Sequence, residues 1–237
     1  MKRALILSVI GVLSWAWAAS LSEVYDQVEE GLSRVGLEPG ASAALDQAQG
    51  ALRQGADLLP PVLRDALLVN LQEARQAVAQ KSRVDLEARL LLIRHLLGKA
   101  LYDAFFEAKA QGKEKEAAAL LNRLRRAVGL PEDLSARAEA EKDLRLLRRA
   151  LEGWFTEGMA QALAQGLGAA SRPEAFLSVT RAYARYLIVQ DSPQTTLRAR
   201  DFVHLLTLIS TGQPFRPEAQ ALLEKVAAWR KGLQTPA

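Results

Sequence analysis

Cysteine is absent from the 237 residues, and that absence excludes a good deal. Disulfides, thiolate metal sites, thiol catalysis and covalent haem attachment all need it, as does a lipid-modified N-terminus. Asparagine occurs only at Asn70 and Asn122, and methionine only at Met1 and Met159. Few thermolabile residues among many charged ones fit a thermophile, and a GC-rich genome gives the same Arg and Ala bias without heat. Strand signals are nearly missing: no run alternates with period two, and β-branched residues are scattered. Catalytic and cofactor motifs are missing as well. There is no serine in a G-x-S-x-G setting, no H-E-x-x-H, no P-loop and no strand ahead of Gly166-Leu167-Gly168 to make it a dinucleotide loop. No cofactor is therefore expected.

What is present is ordinary globular material, with 49% hydrophobic and 24% charged residues. The net charge is +4, and two of those charges are Lys2 and Arg3. The sequence pI of about 9.5 reflects a small excess of arginine. It lacks the concentrated basic face that a nucleic-acid partner requires.

Lys2 and Arg3 precede an apolar run from Ala4, and Ala16-Trp17-Ala18 is a small-x-small motif. This is the pattern of a signal peptide over residues 1–18, cut before Ala19. The run is shorter than the roughly 20 residues a membrane-spanning helix needs. The protein is thus expected to be periplasmic or secreted, with no membrane span after removal of the leader. Retention of the leader as an anchor is the other reading.

The rest of the chain, 19–237, reads as one all-α domain of about eight helices, packed as antiparallel hairpins in a bundle-like arrangement. Ser20-Leu21-Ser22-Glu23 is a capping box ahead of Val24, Val28, Leu32 and Val35. Pro60-Pro61 opens a third helix, and Ser82 with Asp85 caps a long one reaching about Gln111. On that helix Leu86, Leu90, Ile93, Leu97, Ala100, Leu101 and Ala104 share a face, and Leu91, Leu92, Phe105 and Phe106 add apolar surface elsewhere. A helix apolar on several sides packs on several neighbours, so it is expected at the centre. Arg123, Arg125 and Arg126 precede Gly129 and Pro131, as expected for a helix C-terminus, and if there are two subdomains Gly129 to Leu134 is where they would divide. A sixth helix is expected from Ser135 through Leu151, either continuing or kinking at Gly153 and Gly158 and ending near Gly166. Ser171-Arg172-Pro173-Glu174 caps the seventh, Asp191-Ser192-Pro193 the eighth, and Pro217-Glu218 opens the last.

Candidate chemistry is sparse. His95 lies on the long helix with Lys99 and Tyr102, and reads as a polar-face or boundary residue, since Gly98 and Lys99 at i+3 and i+4 supply no second metal ligand. Lys99 is expected to pair with Asp103. Asp201 and His204 have a spacing that suits a shared metal or an oriented base, and equally an exposed polar stripe. The acidic groups Glu29-Glu30, Glu114/Glu116 and Glu139/Glu141/Asp143 stand among Lys and Arg, as solvated ion pairs do. The sharpest candidate is a cationic groove. Arg181 and Arg185 are one turn apart, Tyr183 and Tyr186 are beside them, and Arg200 and His204 follow on the next helix. If the two helices face each other, these residues would bind a carboxylate, a phosphate or an acidic partner. The alternative is a solvated basic face with tyrosines at its edge.

The stretch Leu96-Leu97-Gly98-Lys99-Ala100-Leu101-Tyr102-Asp103-Ala104-Phe105-Phe106-Glu107, with Gly129-Leu130-Pro131 after it, resembles the helical extracytoplasmic segments that accompany bacterial high-affinity iron permeases. It covers under a fifth of the chain. The Arg-Glu-x-x-Glu motif of the permease's membrane part is absent, so no metal ligand carries over. The sequence therefore leads first to an exported, non-enzymatic helical protein binding a partner protein or small anionic ligand. The resemblance implies the alternative, an accessory protein of iron uptake with a membrane permease as partner. A helical acid–base enzyme built on Asp201 and His204 is the third reading.

Overall fold

The computed structural model describes residues 20–234. The expected signal peptide and the tail end lie outside them. Among the described residues the fold is all-α, with ten α-helices and one short 3-10 turn at Ala56–Leu58. The helices are α1 (Leu21–Leu32), α2 (Ala41–Gln54), α3 (Pro61–Ala79), α4 (Arg83–Ala110), α5 (Glu114–Val128), α6 (Glu132–Ala140), α7 (Leu144–Gly168), α8 (Arg172–Val189), α9 (Ala199–Ser210) and α10 (Arg216–Gln234).

The count exceeds the expected eight partly because the long sixth helix is broken. Glu141 is extended, at φ −70° and ψ 129°, and Asp143 then caps α7 by accepting the N–H groups of Arg145 (2.8 Å) and Leu146 (3.3 Å). An aspartate offering its carboxylate to two orphan donors starts a new helix more favourably than it continues an old one. The eighth expected helix also starts late. Ser192 gives its hydroxyl to Glu152 at 2.8 Å, and residues 190–198 form a linker. Asp201 sets the start of α9 by accepting the N–H of Arg198 at 3.1 Å. The capping boxes at Ser20 and Ser171 both form, and Ser82 accepts the Asp85 N–H.

α4 is the central element. It packs against α1, α3, α5, α7 and α8, and Ile93, Leu97, Leu101 and Phe105 on it are fully buried. Burying each such side chain contributes about 1.5–3 kcal/mol. The core is continuous from Val24 to Leu233, and α6, which begins inside the expected boundary, packs on both α5 and α7. Ion pairs fix the register. Arg181 of α8 pairs with Glu87, and Asp191, just past the end of α8, pairs with Lys99, so α4 and α8 run parallel. α7 is antiparallel to α8, with Glu152 near Ser192 at one end and Gly166 against Val179 at the other.

The N-terminal hairpin depends on close approach. A methyl group at Gly31 would stand 2.8 Å from the Ala44 carbonyl oxygen, so α1 and α2 touch backbone to backbone there. The basic end of α5 holds this hairpin down. Arg123 and Arg126 each reach Asp26 of α1 at 2.6 Å, and Arg123 also donates to the Ser22 carbonyl. Glu29 of α1 takes a two-pronged bond from Arg94 of α4, both distances 3.1 Å.

Candidate functional site

The N-terminal halves of the parallel pair α4 and α8, together with α9 packed on α8, line an open cleft of about 580 Å³. Its walls are largely apolar: Ala88 and Leu92 from α4, Phe176 from α8, and Val203, Leu206 and Ile209 from α9. Val203 is 49% exposed although it is a valine on a helix wall. The hydroxyls nearby are turned to their own backbones. Thr180 donates to the Phe176 carbonyl at 2.8 Å and Thr207 to the Val203 carbonyl at 2.8 Å. The cleft therefore presents mostly hydrocarbon, and the charged groups on its rim are Asp85, Arg89 and Arg172.

That rim is built from helix ends. Arg172, the first residue of α8, closes the C-terminus of α9 by donating to the carbonyls of Ile209 (3.1 Å), Gly212 (2.5 Å) and Gln213 (3.2 Å). A cation there neutralises the negative end of the α9 dipole. Arg89 of α4 is held by Glu73 at 2.7 Å, and Asp85 sits in the first turn of α4. Cleft size and lining fall in the range of small-molecule sites, about 300–1,000 Å³ and mostly apolar.

The expected cationic groove does not assemble. Arg181 pairs with Glu87 of α4 at 3.1 Å, and lines a depression of about 630 Å³ together with Arg83 and Arg94. Arg200 and His204 turn the other way, to a hollow of about 410 Å³ against Glu218 and Lys225 of α10. The reason is aromatic packing. Phe202, fully buried, stacks on Tyr183 (ring centroids 5.5 Å apart) and Tyr186 (5.0 Å), so the α9 face turned to α8 is apolar and its charges are rotated outward. Tyr186 is buried and donates its hydroxyl to the Leu197 carbonyl. Tyr183 is the one residue of the expected set that lines the apolar cleft. Asp201 faces Lys225 at 3.6 Å and caps α9, and His204 is exposed.

Arg185 has a different setting. Its guanidinium lies over the Trp154 ring at 5.6 Å and against Gly158, where a Cβ would stand 2.1 Å from Nη1. Burial, then the neighbouring Arg181 charge, lower its pKa. Next to it His95 is buried, not at a boundary as its sequence context suggests. Its Nδ1 is 3.0 Å from the Leu91 carbonyl, so that nitrogen carries the proton and donates. Desolvation pushes the His95 pKa down to about 4, the Leu91 bond opposes this, and Arg185 and Arg94 add to it. The neutral ring is therefore the stable form.

Lys99 does pair with Asp103, at 2.7 Å, and also with Asp191 of the linker at 2.6 Å, which sequence spacing does not reveal. Among the described residues no three of His, Asp and Glu gather as a metal-holding group. No helix among them is long and apolar enough to cross a membrane.

No family model, curated protein or solved structure matches this chain.

Proposed function

We propose that the chain is an exported, non-enzymatic binding protein that takes a small ligand with an apolar body into the cleft between α4, α8 and α9. The observation that carries this reading is the cleft itself: about 580 Å³, walled by Leu92, Phe176, Val203, Leu206 and Ile209, with Arg89 and Arg172 at the rim. Leaving such surface to water is unfavourable, and an apolar ligand recovers that free energy. Arg172 is committed to the α9 carbonyls and Arg89 to Glu73, so the apolar walls, not the rim charges, carry the recognition. The titratable groups on the lining offer no pairing of nucleophile and base, which favours binding over catalysis. Export rests on the Lys2-Arg3 start, the apolar run and Ala16-Trp17-Ala18. The α1 cap at Ser20 falls just past that cut, so the mature chain would keep it.

The test is titration with 1-anilinonaphthalene-8-sulfonate, an apolar fluorophore with one anionic group. Saturable enhancement by the native protein is expected, weakened at least tenfold by Val203→Glu, which puts a charge on the exposed wall without disturbing the core. Enhancement that is unchanged in Val203→Glu, or none at all, rejects the cleft as the site. The iron-uptake alternative draws on the sequence resemblance alone.

A further inference from the structure

A second cleft, of about 630 Å³, opens where the first turns of α7 meet the 190–198 linker and the end of α10. Charged and apolar residues share its lining. Arg145 and Arg148 stand at its mouth, Glu152 in its wall, and Leu144, Leu146 and Leu233 supply apolar surface. Arg148 and Glu152 are one helical turn apart on α7, the spacing at which opposite charges ordinarily close an ion pair. Here they do not. The Arg148 guanidinium lies on the Phe106 ring, 4.5 Å from its centre, and makes no ion pair among the described residues. Arg145 is nearly fully exposed, and the one carboxylate it pairs with among the described residues, Asp143, is 3.8 Å away and occupied with the helix cap.

Glu152 is the more unusual partner. It is 3% exposed, yet the Ser192 hydroxyl at 2.8 Å is its one hydrogen-bond partner among the described residues. A carboxylate has about four acceptor positions, and burying one with a single neutral donor is costly. Nearby, the Tyr102 hydroxyl is buried with no hydrogen-bond partner among the described residues. Desolvation raises the pKa of Glu152, with Ser192 and Arg148 opposing. An acceptor short of donors and a cation short of an anion therefore border one cavity.

We propose that this cleft binds a small zwitterion of the α-amino-acid type, with its carboxylate on Arg148 and Arg145 and its ammonium on Glu152. Such a molecule supplies to each side the charge that α7 withholds, and the three leucines accommodate an apolar side chain. Both new contacts are charge-assisted, the stronger class of hydrogen bond. The site is separate from the α4/α8/α9 cleft and stands or falls without it.

The experiment is isothermal titration of the chain from Ala19 with each of the twenty standard amino acids. Saturable binding of at least one is expected, with apolar side chains ahead of acidic ones. The N-acetyl and the amide derivatives of the best ligand, each lacking one charge, should bind at least tenfold more weakly. Arg148→Gln, an exposed and conservative change, should weaken binding at least tenfold with an unchanged helical signal, and Glu152→Gln should do so where it folds. No saturable heat from any amino acid at millimolar concentration overturns the proposal. So does equal binding of the N-acetyl derivative, which would make the site one for simple anions. Binding unaffected by Arg148→Gln overturns it too, by placing the ligand elsewhere.

Discussion

Acidification should unlock the centre of this protein through one residue. His95 is 6% exposed on α4, its Nδ1–H is committed to the Leu91 carbonyl, and Arg185 and Arg94 are the charges that bear on it. Holding the imidazole neutral down to about pH 4, against 6.5 when unperturbed, corresponds to about 3 kcal/mol. The folded pKa is the lower one, so this stability is fully present above pH 6.5. It is lost as pH falls from 6.5 towards 4, because the unfolded chain takes up the proton first. Asp103 and Glu152 act in the opposite direction: desolvation raises their folded pKa values, and their contribution is lost as pH rises. The histidine must therefore be isolated by difference. His95→Gln keeps a side-chain N–H for Leu91 and cannot ionise. Urea unfolding of both proteins between pH 7.5 and 4 should show the wild type losing about 3 kcal/mol more than the variant. Parallel stability curves would refute the reasoning, as would an NMR titration placing the native His95 near 6.5.

Leu97→Ala or Leu101→Ala should each cost about 2–5 kcal/mol by denaturant unfolding, since both side chains are fully buried on the central helix. Midpoints that barely move would mean that this face is not core. Two glycines should behave differently under the same change. Gly31→Ala drives a methyl into the Ala44 and Ala48 backbone and should cost about 1–3 kcal/mol. Gly158→Ala meets only the far end of Arg185, so stability should change by less than about 1 kcal/mol while the Trp154 indole NMR signal shifts. Equal losses at the two positions would show that Arg185 is as fixed as backbone.

The helical class, the central place of α4 and three helix starts were legible because each rests on local chemistry. Ser20, Ser82 and Ser171 cap with their own side chains, and the apolar spacing of α4 follows from the helix period alone. The errors arose where a polar residue's hydrogen bonds went elsewhere than its sequence context suggests. Ser192 looks like a cap, but Glu152, forty positions earlier in the chain, claims its hydroxyl. Asp143 looks like part of a solvated acidic run, but it ends one helix and begins another. The cationic groove failed for a geometric reason. Spacing within α8 and within α9 says nothing of the rotation of one about the other, and Phe202 stacking on two tyrosines sets it. Both clefts arise between elements far apart in sequence, so neither leaves a local pattern. An unpaired Arg148 and Glu152 at ion-pair spacing look, in sequence, like an ordinary surface pair.

The parallel pairing of α4 with α8 also bears on the order in which the molecule can assemble. α4 receives α3 and α5 from its immediate neighbourhood, but the side carrying Glu87, His95 and Lys99 waits for α8. Between them α5, α6 and α7 must emerge first. A nascent chain that stops short of Arg172 therefore keeps the flank of its longest helix, with Ala88 and Leu92, open to water. The first half is therefore expected to gain its full packing only once the final third has been made. Pulse proteolysis of chains ending at Gly168 and at Gln190 would register that transition directly, as a step in protection of α4 that appears only in the longer one.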